Sequence, residues 1–259
     1  MILRNGQQYI DNSYNYSTTD ISDNSITSTI EVSENPGWHQ LGHSVPPTAT
    51  SGNYYLDMSK DGTVVVWGER SAGTNNTGVA RVFQYANNVW TQLGSDLVGE
   101  NESDYFGQQV SINADGSIIA IGTEAGDYCK VFEYDDTMDG SWNQLGSNIT
   151  GSTTGKFGAS LSLDASGHRL ALSDREATNS DGNMGYVEIY DYDSVGNTWT
   201  QVGSRVSGDS TDMLLGMTLK VSGDGNTFIA GGGGYNTYQG IARVYQYDDT
   251  VDGSWNQLG

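Results

Sequence analysis

One short motif returns five times along this chain and limits the folds that the chain can adopt. The motif is Trp-x-Gln-(Leu/Val)-Gly, and its tryptophans are Trp38, Trp90, Trp142, Trp199 and Trp255. Successive tryptophans are 52, 52, 57 and 56 residues apart. A repeat of this length is typical of an array of small, similar sheets. We therefore expect one domain that is built from repeats.

The second repeat shows what each sheet contains. Residues 108–113 alternate and predict a strand, which we call strand a, and Asp115-Gly116 predicts a hairpin turn. Residues 117–122 form a nearly unbroken apolar run, so this strand b should be buried on both faces. Residues 130–134 predict strand c, and a strand d begins at Trp142. Four antiparallel strands with an apolar strand b are what a propeller blade needs.

The same order of strands recurs in the other repeats, so the predicted fold class is all-β. Strand b returns as residues 63–68, 169–172 and 227–231, and strand c returns as residues 81–85, 186–190 and 243–247. No segment has sustained helical periodicity. We predict a β-propeller of four-stranded antiparallel blades with essentially no helix.

A second set of positions carries a family resemblance. Phe106-Gly107, Phe157-Gly158 and Leu215-Gly216 each stand shortly before an a–b turn, and strand b closes as Ala120-Ile121-Gly122 or Ala230-Gly231-Gly232. This pattern resembles the FG-GAP-like repeats of the integrin α-subunit propeller. It is more similar still to the tandem W-x-Q-L-G repeats of large surface proteins in algae, marine bacteria and algal giant viruses. The resemblance covers residues 38–259 and implies a surface propeller, although the first regular repeat has Gly52-Asn53 in place of Phe-Gly.

The number of blades depends on the first part of the chain. Five d strands are visible, but only four a–b–c sets are regular. We expect five blades, with residues 25–259 as the propeller and residues 1–24 as either degenerate first-blade strands or an N-terminal tail. The alternative is a fragment of a larger ring, such as the seven-bladed ring that the integrin resemblance implies.

Charge excludes several classes of partner. The chain has 259 residues with 32 acidic and only 11 basic side chains, which gives a net charge of −21. Binding of nucleic acid phosphates needs clustered Lys and Arg, so no nucleic acid partner is expected. Docking on an anionic membrane is disfavoured for the same reason, and no segment is long enough to insert into a membrane. The single cysteine, Cys129, excludes an internal disulfide and is expected to be buried.

Strand direction alone divides the propeller into two faces. The d–a and b–c loops emerge together on one face, here called the loop face, and the short a–b and c–d turns emerge on the other. Divergent loops on a rigid scaffold are where function usually lies. The loop face is acidic with interspersed tyrosines, which suits a sugar or a cationic protein patch. The predicted ligand-binding residues are Glu102, Asp104, Tyr105, Glu124, Asp127, Asp174, Glu176, Asp212, Tyr235 and Tyr238.

Metal binding has one candidate. Integrin-like blades often carry a D-x-D-x-D-G calcium loop between strands a and b, but the a–b turns of this chain lack the necessary oxygen ligands. Calcium is possible in two c–d turns instead, and Asx hydrogen bonding is the alternative use of those acids. The residues concerned are Asp135, Asp136, Asp139, Asp248, Asp249 and Asp252. No other cofactor is expected.

Catalytic motifs are absent from the sequence. The histidines His39, His43 and His168 form no ligand-spaced cluster and belong to no recognisable nucleophile motif. The main prediction is therefore a non-enzymatic recognition or adhesion propeller that binds a cell-surface glycan or protein. Two alternatives are a structural component of a virion or extracellular assembly, anchored by residues 1–24, and a polysaccharide hydrolase that uses paired loop acids.

Location follows from the start of the chain. Residues 1–6 have no apolar core of a signal peptide. Together with the resemblance, this predicts an extracellular or virion-surface protein that is carried out by assembly into a particle, and it leaves a cytoplasmic location open. Residues 1–24 are the expected contact with such a particle.

Overall fold

The computed structural model describes ten parts of the chain, namely residues 3–4, 7–8, 40–44, 54–137, 140–151, 156–179, 182–210, 212–234, 239–250 and 253–259. The chain divides into two compact units, Met1–Leu41 and Gly42–Gly259. In the first unit, β1 (Leu3–Arg4) pairs antiparallel with β2 (Gln7–Gln8).

The second unit contains four blades, each with four antiparallel strands in the order a, b, c, d. Blade one consists of β3 (Tyr54–Met58), β4 (Val64–Glu69), β5 (Val79–Ala86) and β6 (Val89–Gln92), followed by a short β7 (Leu97–Val98). A single 3₁₀ turn, Thr74–Asn76, lies between β4 and β5. Blade two consists of β8 (Gln109–Ile112), β9 (Ile118–Gly122), β10 (Tyr128–Asp135) and β11 (Ser141–Gln144), followed by β12 (Ile149–Thr150).

The remaining two blades repeat this plan. Blade three consists of β13 (Phe157–Leu163), β14 (Arg169–Asp174), the small hairpin β15 (Thr178–Asn179) and β16 (Gly182–Asn183), then β17 (Tyr186–Asp193), β18 (Thr198–Gln201) and β19 (Val206–Ser207). Blade four consists of β20 (Thr218–Val221), β21 (Thr227–Gly232), β22 (Ile241–Asp248) and β23 (Ser254–Gln257). The short strands β7, β12 and β19 pair with the start of strand c in blades one to three.

The predicted fold class is confirmed: the protein is an all-β propeller of four-stranded antiparallel blades. In blade two, the predicted strands at 108–113, 117–122 and 130–134 correspond to β8, β9 and β10. Four blades lie within the described residues, and most residues on which a fifth would depend lie outside them. None of the described residues forms a helix of the length and apolarity that crossing a membrane requires.

The recurring tryptophan joins neighbouring blades. In three successive junctions, the indole N–H of strand d donates a hydrogen bond to a backbone carbonyl at the end of the preceding blade's motif. The bonds run from Trp142 to Leu93 (2.8 Å), from Trp199 to Leu145 (2.9 Å) and from Trp255 to Val202 (2.9 Å). The glycine that follows each acceptor has a positive φ and lies against the incoming indole. The motif therefore links each blade to the next by one hydrogen bond and one packing contact.

The core lies between blades rather than within them. Three buried clusters fill the junctions between blades one and two, two and three, and three and four. Strand b supplies much of each cluster, and Ile119 and Ala120 of β9 are fully buried on opposite sides of blade two. Cys129 is also fully buried, as predicted, and its burial raises the pKa of the thiol.

Candidate functional site

Three charged side chains from successive blades meet on the loop face. Arg70 follows strand b of blade one, Glu124 follows strand b of blade two, and Lys156 stands just before strand a of blade three. In each case the residue lies next to the beginning of a strand a or the end of a strand b. With Gln108 and Tyr105, which precede strand a of blade two, these residues are called here the Glu124 cluster.

Glu124 is flanked by the two cations. Its Oε2 lies 2.5 Å from Arg70 Nη1, and its Oε1 lies 3.6 Å from Lys156 Nζ. Oε2 is buried, yet it accepts no directed hydrogen bond from the described residues. The short distance and the missing bond are compatible, because an N–H that does not point at the oxygen still gives an ionic contact. Glu124 is therefore held between two cations by ionic contacts and not by directed hydrogen bonds.

Asp104 shapes the loop that presents Glu124. Its backbone carbonyl accepts hydrogen bonds from the N–H groups of Glu124 (3.2 Å) and Ala125 (3.3 Å). Its carboxylate accepts bonds from the Asn101 N–H (2.8 Å) and the Tyr128 hydroxyl (2.8 Å). Burial raises the pKa of Tyr128, so this hydroxyl stays protonated and keeps donating to Asp104. Asp104, at 5% exposure, supports the site from behind and does not face a ligand.

Arg70 is held by two neighbours from blade two. Its Nη1 donates to Gln108 Oε1 at 2.8 Å, and its guanidinium lies 4.8 Å from the centroid of the Tyr105 ring. Gln108 is 5% exposed, and its Nε2 in turn donates to the Tyr55 hydroxyl at 2.8 Å. A buried amide that is bonded at both ends has little freedom. This chain of contacts fixes the direction of the Arg70 side chain beside Glu124.

Asp174 anchors the backbone of Lys156. This carboxylate is fully buried at the end of strand b of blade three. Its Oδ1 accepts bonds from the backbone N–H of Lys156 (2.9 Å) and of Glu176 (3.1 Å). The bond fixes where the Lys156 side chain leaves the main chain. Asp174 is therefore a structural acid of the site.

The structure separates the predicted binding residues into distinct groups. Tyr105 and Glu124 belong to the Glu124 cluster, while Asp104 and Asp174 support it through the backbone. Asp127 accepts a bond from the Phe157 N–H at 3.4 Å and serves the blade junction. Glu102 is exposed and accepts a bond from Asn75 at 2.7 Å. The others are Glu176, which contacts Arg175 at 3.5 Å, Asp212, which is exposed, and Tyr235 and Tyr238, which lie outside the described residues.

The acids proposed for calcium have local uses where they are described. Asp135 accepts bonds from the N–H and hydroxyl of Thr137, and Asp248 does the same with Thr250, as Asx turns require. Asp136 and Asp249 are exposed beside them, and Asp139 and Asp252 fall outside the described residues. In the parts of the chain that the structure describes, no three His, Cys, Asp or Glu side chains group as metal ligands.

Sequence reasoning missed the cations of the cluster. The predicted binding residues were all acids and tyrosines, so Arg70 and Lys156, two of only 11 basic residues, were not selected. A signal was available, because an acid followed by arginine ends strand b twice, as Glu69-Arg70 and as Asp174-Arg175. Lys156 and Gln108 carry no comparable signal, since their roles depend on how three blades meet.

Comparison with known proteins identifies the fold and no family. No protein-family model matches the chain, and no curated protein matches it. Similar solved structures include a candidate 6-phosphogluconolactonase from Bacteroides uniformis, with 17% identity and a TM-score of 0.53 over 84% of this chain and 57% of that one. The periplasmic gluconolactonase of Pseudomonas aeruginosa has 19% identity and a TM-score of 0.52 over 95% of this chain and 65% of that one.

These structural matches correct the main functional prediction. A further candidate 6-phosphogluconolactonase, from Bacteroides fragilis, matches with 15% identity and a TM-score of 0.53 over 84% of this chain and 57% of that one. These proteins are named as lactonases, which are enzymes, and this contradicts the prediction of a non-enzymatic adhesion module and supports the hydrolase alternative better. At these identities the likeness itself shows the fold alone, so an activity of this chain is a proposal. The chain spans 57% to 65% of the lengths of the three structures.

Proposed function

We propose that the protein is a hydrolase that opens a sugar-derived lactone, with Glu124 as its acid–base group. The observation that carries the proposal is the Glu124 carboxylate, which is 17% exposed and lies between Arg70, 2.5 Å from Oε2, and Lys156, 3.6 Å from Oε1. A carboxylate held in this way can take a proton from a water molecule, because its position is fixed and Oε1 accepts no hydrogen bond from the described side chains.

The proposed reaction is the addition of water to the ring ester. Glu124 accepts a proton from water as the water oxygen bonds to the carbonyl carbon and the carbonyl oxygen becomes negative. The tetrahedral intermediate then collapses, the ring C–O bond breaks, and the departing oxygen takes the proton back from Glu124. The product is an open-chain hydroxy acid. Atoms and charge balance with one water molecule and no cofactor.

Arg70 is suited to stabilise the negative oxygen of the intermediate. Its Nη1 is occupied by Gln108 and Glu124, whereas Nε and Nη2 have no partner among the described side chains. Donors that are already in place when charge develops lower the barrier, because they need no reorganisation. The bonds of Gln108 to Arg70 and Tyr55 give the guanidinium that fixed position.

Ester opening fits the cluster better than glycoside cleavage does. Cleavage of a glycosidic bond usually requires two carboxyl groups, which lie roughly 5 to 10 Å apart across the substrate. The ionic contacts of Glu124 are instead with two cations, Arg70 and Lys156. One carboxylate among cationic groups suits attack on a carbonyl, where a single base and a stabilised oxyanion are sufficient. The names of the structurally similar lactonases support the same reaction class.

The decisive experiment follows lactone opening by acid release at constant pH. Purified protein is supplied with glucono-δ-lactone and with smaller γ- and δ-lactones, and the rate is compared with spontaneous opening. Glu124→Gln should lower kcat at least 100-fold, the usual contribution of general acid–base catalysis. Glu102→Gln is the matched control, because Glu102 lies on the same face and contacts only Asn75 among the described side chains.

Two results would contradict the proposal. The first is a wild-type protein that opens none of the lactones faster than water does. The second is a Glu124→Gln variant that keeps full activity while folding normally by circular dichroism. Activity on a panel of polysaccharides without activity on lactones would point to the other hydrolase class.

A further inference from the structure

The two cations of the Glu124 cluster have hydrogen-bond donors to spare. Lys156 Nζ is 3.6 Å from Glu124 Oε1, which is too long for a hydrogen bond, and no described side chain offers it a closer acceptor. Arg70 likewise uses only Nη1. Their side chains are 26% and 22% exposed, so both can reach a ligand from the loop face.

Other cations near this face are matched much more closely. Most of them have a carboxylate oxygen within ordinary hydrogen-bond distance. The pairs are Arg81 with Glu69 (2.7 Å) and Asp96 (2.6 Å), Lys130 with Glu100 (2.8 Å), Arg205 with Glu188 (2.7 Å) and Arg243 with Asp209 (2.8 Å). The exceptions are Arg175, which lies 3.5 Å from Glu176 outside the Glu124 cluster, and Lys156 within it. With 32 acids in the chain, an unmatched lysine is not explained by a lack of carboxylates.

We infer that Lys156 binds an anionic group of the ligand, while the free edge of Arg70 is left for the carbonyl oxygen, so that the substrate class is an anionic lactone. The group is an oxyanion, either a phosphate or a carboxylate, which the Lys156 ammonium binds by charge-assisted hydrogen bonds and the Arg70 charge attracts. The lactone part of this inference rests on the proposed function, whereas the oxyanion site rests on the two cations alone.

Electrostatics explains why such a site needs two cations. The protein carries a net charge of −21, which repels an anionic ligand at long range. Glu124 adds a local negative charge beside the site. The charges of Arg70 and Lys156 together exceed the charge of Glu124 by one, so a bound anionic group meets two cations where it also meets this carboxylate. Binding should therefore depend on local contacts that salt weakens.

The oxyanion site is tested first without any lactone. Inorganic phosphate and acetate are titrated separately into the intact protein at low ionic strength, and binding is measured by calorimetry. We expect saturable binding of at least one of them, at least tenfold weaker in Lys156→Met. Lys60→Met is the matched control, because Lys60 is exposed in the a–b turn on the opposite face, and it should bind normally. The stronger ligand identifies whether phosphate or carboxylate is preferred.

The substrate class is tested with two lactones of the same ring, one phosphorylated and one neutral. The ratio of their kcat/KM values should favour the anionic lactone and should fall at least tenfold in Lys156→Met, mainly through KM. Equal use of both lactones, with no binding of either anion, would overturn the inference and leave the hydrolase proposal standing. If the protein binds an anion through Lys156 but has no lactonase activity, the oxyanion site is supported and the hydrolase proposal is contradicted. Anion binding that is unchanged in Lys156→Met would also overturn the inference.

Discussion

At the scale of single residues, one position of strand c carries a charged residue in all four blades. The sign of the charge differs between blades, but an oppositely charged partner is present in each. Alignment on the last tyrosine of strand c places Arg81, Lys130, Glu188 and Arg243 at the same position. Three of these residues are cations and one is an acid. Each is paired with an oppositely charged residue from a segment that follows a strand d. In blades one and three this segment belongs to the same blade, and in blades two and four it belongs to the preceding blade.

Blade three reverses the arrangement of blade one. In blade one, strand c supplies Arg81 and the segment after strand d supplies Asp96. In blade three, strand c supplies Glu188 and the equivalent position after strand d is Arg205. Both pairs link the same two points of a blade, so the attraction is retained although the signs are exchanged. In blade one, Arg81 lowers the pKa of Asp96, as expected for a carboxylate beside a guanidinium.

The pair in blade three leads to a prediction about stability. Glu188 is 5% exposed, and its partners are Arg205 at 2.7 Å and the Tyr190 hydroxyl at 2.8 Å. Replacing Arg205 with Met removes the opposite charge and leaves a buried carboxylate. We expect the free energy of unfolding to fall by about 2 to 3 kcal/mol, because a buried charge that loses its partner is costly. Urea denaturation measures the change.

A surface arginine provides the control for that measurement. Arg175 contacts Glu176 at 3.5 Å, and the Glu176 side chain is 43% exposed. Arg175→Met should change stability by less than about 0.5 kcal/mol, as is usual for exposed ion pairs. Equal losses in the two variants would show that Glu188 is better solvated than its burial indicates.

The residues of the site were only partly predictable from the sequence. Glu124 and Tyr105 were chosen because loop acids and tyrosines recur on the loop face, and both belong to the cluster. Asp104 was chosen on the same grounds, but its carboxylate is turned inward to Asn101 and Tyr128. The difference depends on backbone direction in a loop where Tyr105 has a φ of 54°, and composition does not reveal such a conformation.

At the scale of the elements, the Phe-Gly motif has a physical explanation at the junction between neighbouring blades. Phe106 and Phe157 are fully buried at the start of strand a, and the glycines after them have φ values of 86° and 85°. A Cβ on Gly107 would lie 2.8 Å from the Val79 carbonyl oxygen, and one on Gly158 would lie 2.9 Å from that of Tyr128. The aromatic ring fills the junction, and the glycine lets strand a pass close to strand c of the preceding blade.

Replacing one of these glycines tests that explanation. Gly158→Ala should lower the free energy of unfolding by about 2 to 4 kcal/mol, because the positive φ and the approach to Tyr128 both penalise a Cβ. Gly223→Ala is the control, since its nearest atom would be Ala165 Cβ at an ordinary 3.6 Å and its φ is not in the left-handed region. Thermal unfolding of both variants measures the difference. A loss in Gly158→Ala no larger than in Gly223→Ala would contradict the role given to the motif.

The main strands could be predicted, and the short ones could not. Strand b of every regular blade was visible because burial on both faces gives a continuous apolar run, as in β9. The two-residue strands β7, β12 and β19 were missed. They pair with strand c only because the chain turns back after the tryptophan motif, and a segment of two residues carries no periodicity.

At the scale of the whole molecule, the interior junctions and the two outer faces differ. Val66, Ala120, Ala171 and Ile229 occupy the same position of strand b in successive blades. The first three are fully buried against the next blade, whereas Ile229 of blade four is 44% exposed. On the opposite side, Leu56 of blade one is 68% exposed. Repetition predicted the blade type, but the neighbours of the outer blades depend on residues beyond the four regular repeats.

This difference predicts an inverted order of mutational costs. Val66→Ala removes fewer atoms than Ile229→Ala, yet it should destabilise the protein more. We expect a loss of about 2 kcal/mol for Val66, because truncation in a closed junction leaves a cavity. The loss for Ile229 should be below about 1 kcal/mol, because its side chain is already partly in water. Urea midpoints with equal m-values would allow the two to be compared directly. If Ile229→Ala costs as much stability as Val66→Ala or more, the outer face of blade four must be covered in solution. Repeating the measurement at lower protein concentration would then show whether a second molecule covers it, because only contacts between molecules weaken on dilution.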